Sequence, residues 1–104
     1  MSSPLAHKTA DAFLDAYLRE LKSVGGRSPN TIRNYRSDIG HFLHFCSETG
    51  IEPLAVSRAT FRIYLAKLRE ENAAPASVTR RTTTIHSFYR YLQREDATDR
   101  DLLY

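Results

Sequence analysis

The sequence has a single cysteine, Cys46. One thiol excludes an internal disulfide framework and the clustered thiols of a structural zinc site, and it fits a reducing cytoplasm. Long hydrophobic runs are missing as well, and the opening Met1-Ser2-Ser3-Pro4-Leu5 has no charged segment leading into an apolar one. The chain is therefore expected to be soluble, unexported and cytoplasmic, with no membrane partner. No alternating strand pattern, internal repeat or low-complexity tract occurs, which leaves an all-α architecture. Charge of one sign is in small excess only: 15 Lys and Arg against 12 Asp and Glu give +3, by itself a weak pointer to nucleic acid. Its distribution is more informative. From Pro75 to Arg94 there is no Asp or Glu beside Arg80, Arg81, Arg90 and Arg94, whereas Glu95, Asp96, Asp99 and Asp101 crowd the segment that follows.

What is present suits one globular domain over residues 1–104. Hydrophobic residues make up 41% and charged residues 26%, enough for a single modest core. Ala10, Phe13, Leu14, Tyr17, Leu18 and Leu21 recur at three- and four-residue steps and predict a first helix over Thr9 to Lys22, ended by Val24-Gly25-Gly26. Ser28-Pro29 starts a second, longer helix, since Ser caps free amides and Pro at the first position loses no hydrogen bond. Its stripe is Ile32, Tyr35, Ile39, Phe42 and Cys46, widened by Leu43 and Phe45, up to Gly50. Gly40 inside it fits either close approach by another helix or simple tolerance.

Pro53 marks a turn, with Leu54 and Val56 as core plugs, before Ser57 caps a third helix running to about Glu71. Phe61, Tyr64, Leu65 and Leu68 form its buried stripe, and Arg58, Arg62, Lys67, Arg69 and Glu70 its solvated face. Asn72-Ala73-Ala74 breaks it. In the fourth helix, opened by Pro75, Val78, Ile85, Phe88 or Tyr89, and Leu92 point inward, with a polar gap at Thr82; Arg80, Arg81, Thr84, Ser87 and Arg94 point elsewhere. The expected fold is thus a bundle of four main helices, with a short fifth turn over Thr98 to Leu103 as an option. Leu102 and Leu103 beside Tyr104 suggest a fragment of a longer protein.

Two stretches resemble a known family: Ser28-Pro29-Asn30-Thr31-Ile32-Arg33-Asn34-Tyr35-Arg36-Ser37-Asp38-Ile39, and Ala76-Ser77-Val78-Thr79-Arg80-Arg81 leading to Ile85 and Ser87-Phe88-Tyr89-Arg90-Tyr91-Leu92. Together with Glu52-Pro53-Leu54 and Val56-Ser57-Arg58-Ala59, they are similar to the SAM-like, core-binding N-terminal domain of phage-integrase type, Xer-like tyrosine recombinases. The resemblance implies one half of a clamp on duplex DNA, with the second and fourth helices facing the duplex. It also implies a separate catalytic domain bearing Arg, Lys and His activators and a tyrosine nucleophile. None of these catalytic groups transfers to this chain, and Tyr104 is not read as the nucleophile. Recombinase protomers in a tetrameric synaptic complex would be partners of the whole protein, while the isolated domain is expected to be a monomer. Three positions depart from the family: Ala74 where a Ser cap is frequent, Thr82 where a core Leu is usual, and His86 where Arg or Lys is frequent.

Duplex DNA offers closely spaced phosphates, which Arg and short hydroxyl or amide donors answer. On the fourth helix the candidates are Ser77, Thr79, Arg80, Arg81, Thr83, Thr84, His86 and Arg94. On the second they are Asn30, Thr31, Arg33, Asn34 and Arg36, near a helix start whose free amides favour phosphate. Asp38 reads as a capping or surface charge, and Tyr35 and Tyr91 as aromatic residues able to turn a hydroxyl toward DNA. His41 and His44 lie one turn apart but lack a completing ligand, so no metal or cofactor is expected. Cys46 reads as a buried, inert thiol. The rival readings are a solvated basic face, a helical protein-interaction module, and a helix-turn-helix regulator, the last disfavoured by the helix lengths. Replacing Arg80 and Arg81 together is expected to weaken DNA binding and to leave folding nearly unaffected.

Overall fold

A computed structural model describes residues 9–98. Among the described residues four α-helices follow one another: α1 (Ala10–Ser23), α2 (Pro29–Thr49), α3 (Arg58–Glu70) and α4 (Pro75–Arg94), with a 3-10 turn, Pro53–Ala55, before α3. There is no strand among the described residues, and the fold is all-α as expected. The option of a fifth turn falls on residues that lie almost wholly outside those described.

The helix starts follow the local chemistry. Thr9, Ser28 and Ser57 each accept a hydrogen bond from the backbone N–H three residues on, and Pro29 and Pro75 occupy first-turn positions. Ala74 makes no side-chain cap, so α4 begins without one. Three helix ends share one device. Gly50, Asn72 and Asp96 adopt positive φ (71°, 61° and 55°), and the next residue donates back to the chain: Ile51 N–H to Cys46 O, Ala73 N–H to Leu68 O, Ala97 N–H to Leu92 O. Each of those donors carries an apolar side chain packed against the core. An αL residue closes the helix and its successor plugs the bundle.

The core is largely aromatic. Phe42 on α2 is fully buried and meets Tyr64 edge-on at 4.9 Å between ring centroids, with Phe61, Phe45 and Tyr89 around it. At the other end Tyr17 of α1 packs on Tyr91 at 4.8 Å and on Phe88. Helix α4 packs against each of the other three helices, and α2 also against α1. Both Phe88 and Tyr89 are therefore buried, and the Tyr89 hydroxyl donates to the Pro53 carbonyl, fastening the 3-10 turn to α4. Val56 is a fully buried plug, while Leu54 and Leu65 are half-buried at the rim.

Several expectations change once the helices are packed. Nothing lies within 4 Å of a Cβ placed on Gly40, so tolerance and not close approach explains that glycine. Thr84, expected to face away from the core, is 3% exposed, and its hydroxyl donates to Arg80 O at 2.9 Å. Thr82, the expected gap in the apolar stripe, is half-buried and donates to Val78 O at 2.8 Å. A hydroxyl satisfied by the carbonyl four residues back sits in a helix interior with little penalty. Tyr91 is buried against Tyr17, so its ring is a core element and not a DNA-facing one. Cys46 is fully buried, and burial pushes its thiol up to about 11.

Candidate nucleic-acid interface

The site begins with a carboxylate inside the protein. Asp38 on α2 is only 1% exposed, which costs several kcal/mol unless the charge is answered. Arg80 on α4 answers it with two parallel bonds: Nε–H donates to Oδ2 at 3.1 Å and Nη2–H to Oδ1 at 2.9 Å. The Arg80 side chain is itself 54% exposed, so the pair runs from the interior to the surface. Arg81 approaches the same Oδ1 from beneath, with its buried Nε 3.7 Å away, and its side chain is only 23% exposed. The bond to Asp38, and then its charge, hold Arg80 more firmly protonated than a free guanidinium. Two helices distant in sequence are thereby fixed at one register.

The neighbourhood of Arg81 is polar. His41 Nδ1 and the Tyr64 hydroxyl are 2.7 Å apart, and the hydroxyl donates when the ring is neutral with its proton on Nε2. Burial pushes the Tyr64 hydroxyl up to about 12, with Arg81 acting in the opposite direction. Burial, then the positive charge of Arg81, holds His41 below the usual imidazole range. Arg81 thus sits in a pocket of its own protein, and the expectation that it projects outward like Arg80 is corrected.

Helix geometry sorts the remaining candidates. Successive residues are about 100° apart, so on α2 Thr31 and Asn34 lie within about 40° of Asp38, while Arg36 lies about 160° away. Arg36 accordingly pairs with Asp15 of α1 at 3.1 Å, on the far side from Arg80. Asn30, about 80° from Asp38, is exposed at the margin, whereas Arg33 lies about 140° away and its Nη1–H donates to Asn30 Oδ1 at 3.4 Å. On α4 the exposed stripe beside Arg80 comprises Ala76, Thr79, Thr83 and, further on, Arg90 and Arg94. Ser77 is half-buried next to it. Arg94 is held by Glu20 of α1 and lies over the Tyr91 ring, 5.2 Å from its centroid. His86 turns another way and packs on Phe61 at 5.1 Å, so it sits away from the Arg80 stripe.

The structure therefore gathers Asn30, Thr31, Asn34, Ser77, Thr79, Arg80 and Thr83 on the N-terminal halves of α2 and α4. It separates Arg33, Arg36, His86 and Arg94 from them, and removes Thr84 into the core. Asp38 was missed as a site residue. Its signal was a lone acid on the apolar side of α2, between Tyr35 and Phe42 at helical spacing, facing a helix without acids. Arg90, exposed on α4, is a further cation to set beside the candidates. His44 pairs with Glu48 at 3.1 Å, and among the described residues no three His, Cys, Asp or Glu side chains form a group that could hold a metal. No described helix is long and apolar enough to cross a membrane.

Comparison with known proteins supplies the lineage. The family profile described as phage integrase, N-terminal SAM-like domain, matches residues 14–96. The chain is 41% identical over 86 residues to tyrosine recombinase XerC of Halalkalibacterium halodurans, a match covering 82% of this chain and 28% of that protein. It is 34% identical over 86 residues to XerC of Oceanobacillus iheyensis, with coverage of 82% and 28%. It is 37% identical over 82 residues to tyrosine recombinase XerD of Shewanella oneidensis, with coverage of 79% and 27%. The matched part thus spans under a third of the length of these curated relatives. No solved structure matches. From the profile match over most of its length and these identities, the chain belongs to the phage integrase N-terminal SAM-like domain family.

Proposed function

We propose that this domain binds duplex DNA through the N-terminal halves of α2 and α4, as the DNA-gripping part of a tyrosine recombinase acting in site-specific recombination. The observation that carries the reading is the acid-free exposed stripe of α4, with Arg80 fixed at the surface by Asp38 beside the start of α2. Free amides at that helix start and small neighbours such as Ala76 and Thr83 let a phosphate backbone come close. The names of the relatives support the recombination context. Catalytic groups for strand cleavage are expected in a part of the recombinase other than residues 1–104, and further recombinase protomers are the protein partners of the whole. As a protein-interaction module the domain would need an apolar patch; on α3 the large exposed apolar residue is Ile63 alone, far short of a stable interface.

Titration of a labelled duplex at two salt concentrations tests the reading. Affinity falls as salt rises, and Arg80→Ala weakens binding of the duplex. Arg62→Ala with Lys67→Ala, on α3, changes it less. Absence of binding at low salt, or a larger loss from the α3 pair with both proteins folded, overturns the assignment. Supercoiled plasmid incubated with the domain stays supercoiled.

A further inference from the structure

Resting on that DNA-binding reading, we infer that Arg80 is a base-reading residue for guanine in the major groove and that Asp38 is the positioning residue that makes it one. The guanidinium has five N–H donors, and Asp38 takes two of them, one from Nε and one from Nη2. That is the side edge of the planar group. What remains is the end edge, where one N–H of Nη1 and one of Nη2 project in parallel from a half-exposed side chain. No other described residue bonds to them. Two parallel donors at that spacing match O6 and N7 of guanine, which no other base offers together in the major groove.

The same clasp argues against Arg80 as mainly a phosphate anchor. A phosphate contact gains from free charge and tolerates a mobile side chain, as a lysine does. Here the arginine charge is compensated by a buried carboxylate at hydrogen-bond distance, and its plane is fixed by two bonds to a group that has no room to move. Lost charge weakens attraction to every sequence alike, whereas a fixed plane improves discrimination among bases. The stripe around Arg80 is slim, with Ala76 and Thr83 on either side, so the helix can sit deep enough for the fork to reach a base edge.

Selection from duplexes with a randomised central segment, followed by sequencing of the bound fraction, tests this on the chain as it stands. Wild type is expected to enrich guanine at one position by roughly 10- to 100-fold over the other bases, the range of a good bidentate contact. Arg80→Gln replaces the two parallel donors by one donor and one acceptor, and is expected to bind more weakly with the guanine enrichment lost. Asp38→Asn frees the arginine from its fixed plane, so guanine enrichment is expected to fall by a larger factor than affinity for unselected DNA. A merely structural role would not separate those two readouts. Thermal melting checks each variant, and if Asp38→Asn unfolds, Arg80→Gln decides alone. Binding by wild type without base preference, or guanine enrichment that persists in Arg80→Gln, overturns the inference and leaves the DNA-binding reading intact. Failure of wild type to bind any duplex overturns both.

Discussion

Helices α3 and α4 carry much the same cations, Arg58, Arg62, Lys67 and Arg69 on one and Arg80, Arg81, Arg90 and Arg94 on the other. They use them differently. On α3 all four are exposed, none forms an ion pair among the described residues, and Lys67 rests over the Phe45 ring at 5.6 Å. On α4 two converge on a buried carboxylate and one is held by Glu20. A solvated cation contributes charge and little else. A cation held by a buried anion contributes a direction, and its removal leaves that anion stranded. Composition makes the two faces look alike; what distinguishes them is the anion each finds in the folded chain.

The comparison breaks most visibly in stability. Arg80→Ala with Arg81→Ala strips Asp38 of both cations and is expected to destabilise the domain by about 3 kcal/mol, the lower end for a broken buried pair because Arg80 is half-exposed. That corrects the expectation of near-neutral folding and is a large share of a small domain's total stability. Arg62→Ala with Lys67→Ala is expected to change it by no more than about 0.5 kcal/mol. Urea unfolding of the two double mutants checks the contrast. Equal midpoints would show that the clasp gives no stability.

A smaller effect comes from the start of α4. Serine at position 74 would accept from the first-turn amides that Ala74 leaves unanswered, so Ala74→Ser is expected to stabilise by about 1 kcal/mol, read as a raised melting temperature. An equivalent gain is not available to α3, which Ser57 already caps. At the far end of α4, Glu20→Gln weakens an exposed pair with Arg94 and is expected to lower the melting temperature less than any change above, a loss that shrinks as salt is added. A larger, salt-independent loss would mean that this contact resembles the Asp38 clasp after all.

The smallest effect depends on pH. The folded state holds His41 below its ordinary range, so the unfolded chain binds that proton more readily. Stability from the neutral ring is complete above the unfolded value of about 6.5 and declines as pH falls through it toward the lower folded value. Melting temperatures at pH 7.5 and 5.5 should therefore differ slightly more for wild type than for His41→Gln. No difference between them would remove His41 from the network around Arg81.

The four helices, their caps and most of the core were legible in the sequence because each rests on local chemistry. Ser28-Pro29 and Ser57 fix starts, Gly50 and Asn72 fix ends, and the three-and-four spacing of Leu14, Leu18, Phe42, Phe61 and Ile85 marks buried faces. The acid-free run from Pro75 to Arg94 was likewise written in the chain. Which of its arginines reaches solvent was not. Asp38 and Arg80 are 42 residues apart and meet only because α2 and α4 pack at one register, and the same packing sinks Thr84 and turns Arg36 toward α1. Periodicity assigns a residue to a face of its own helix, but which neighbour covers that face depends on how helices distant in sequence come together. A carboxylate placed among apolar residues acquires its meaning only when the partner that neutralises it arrives from another helix.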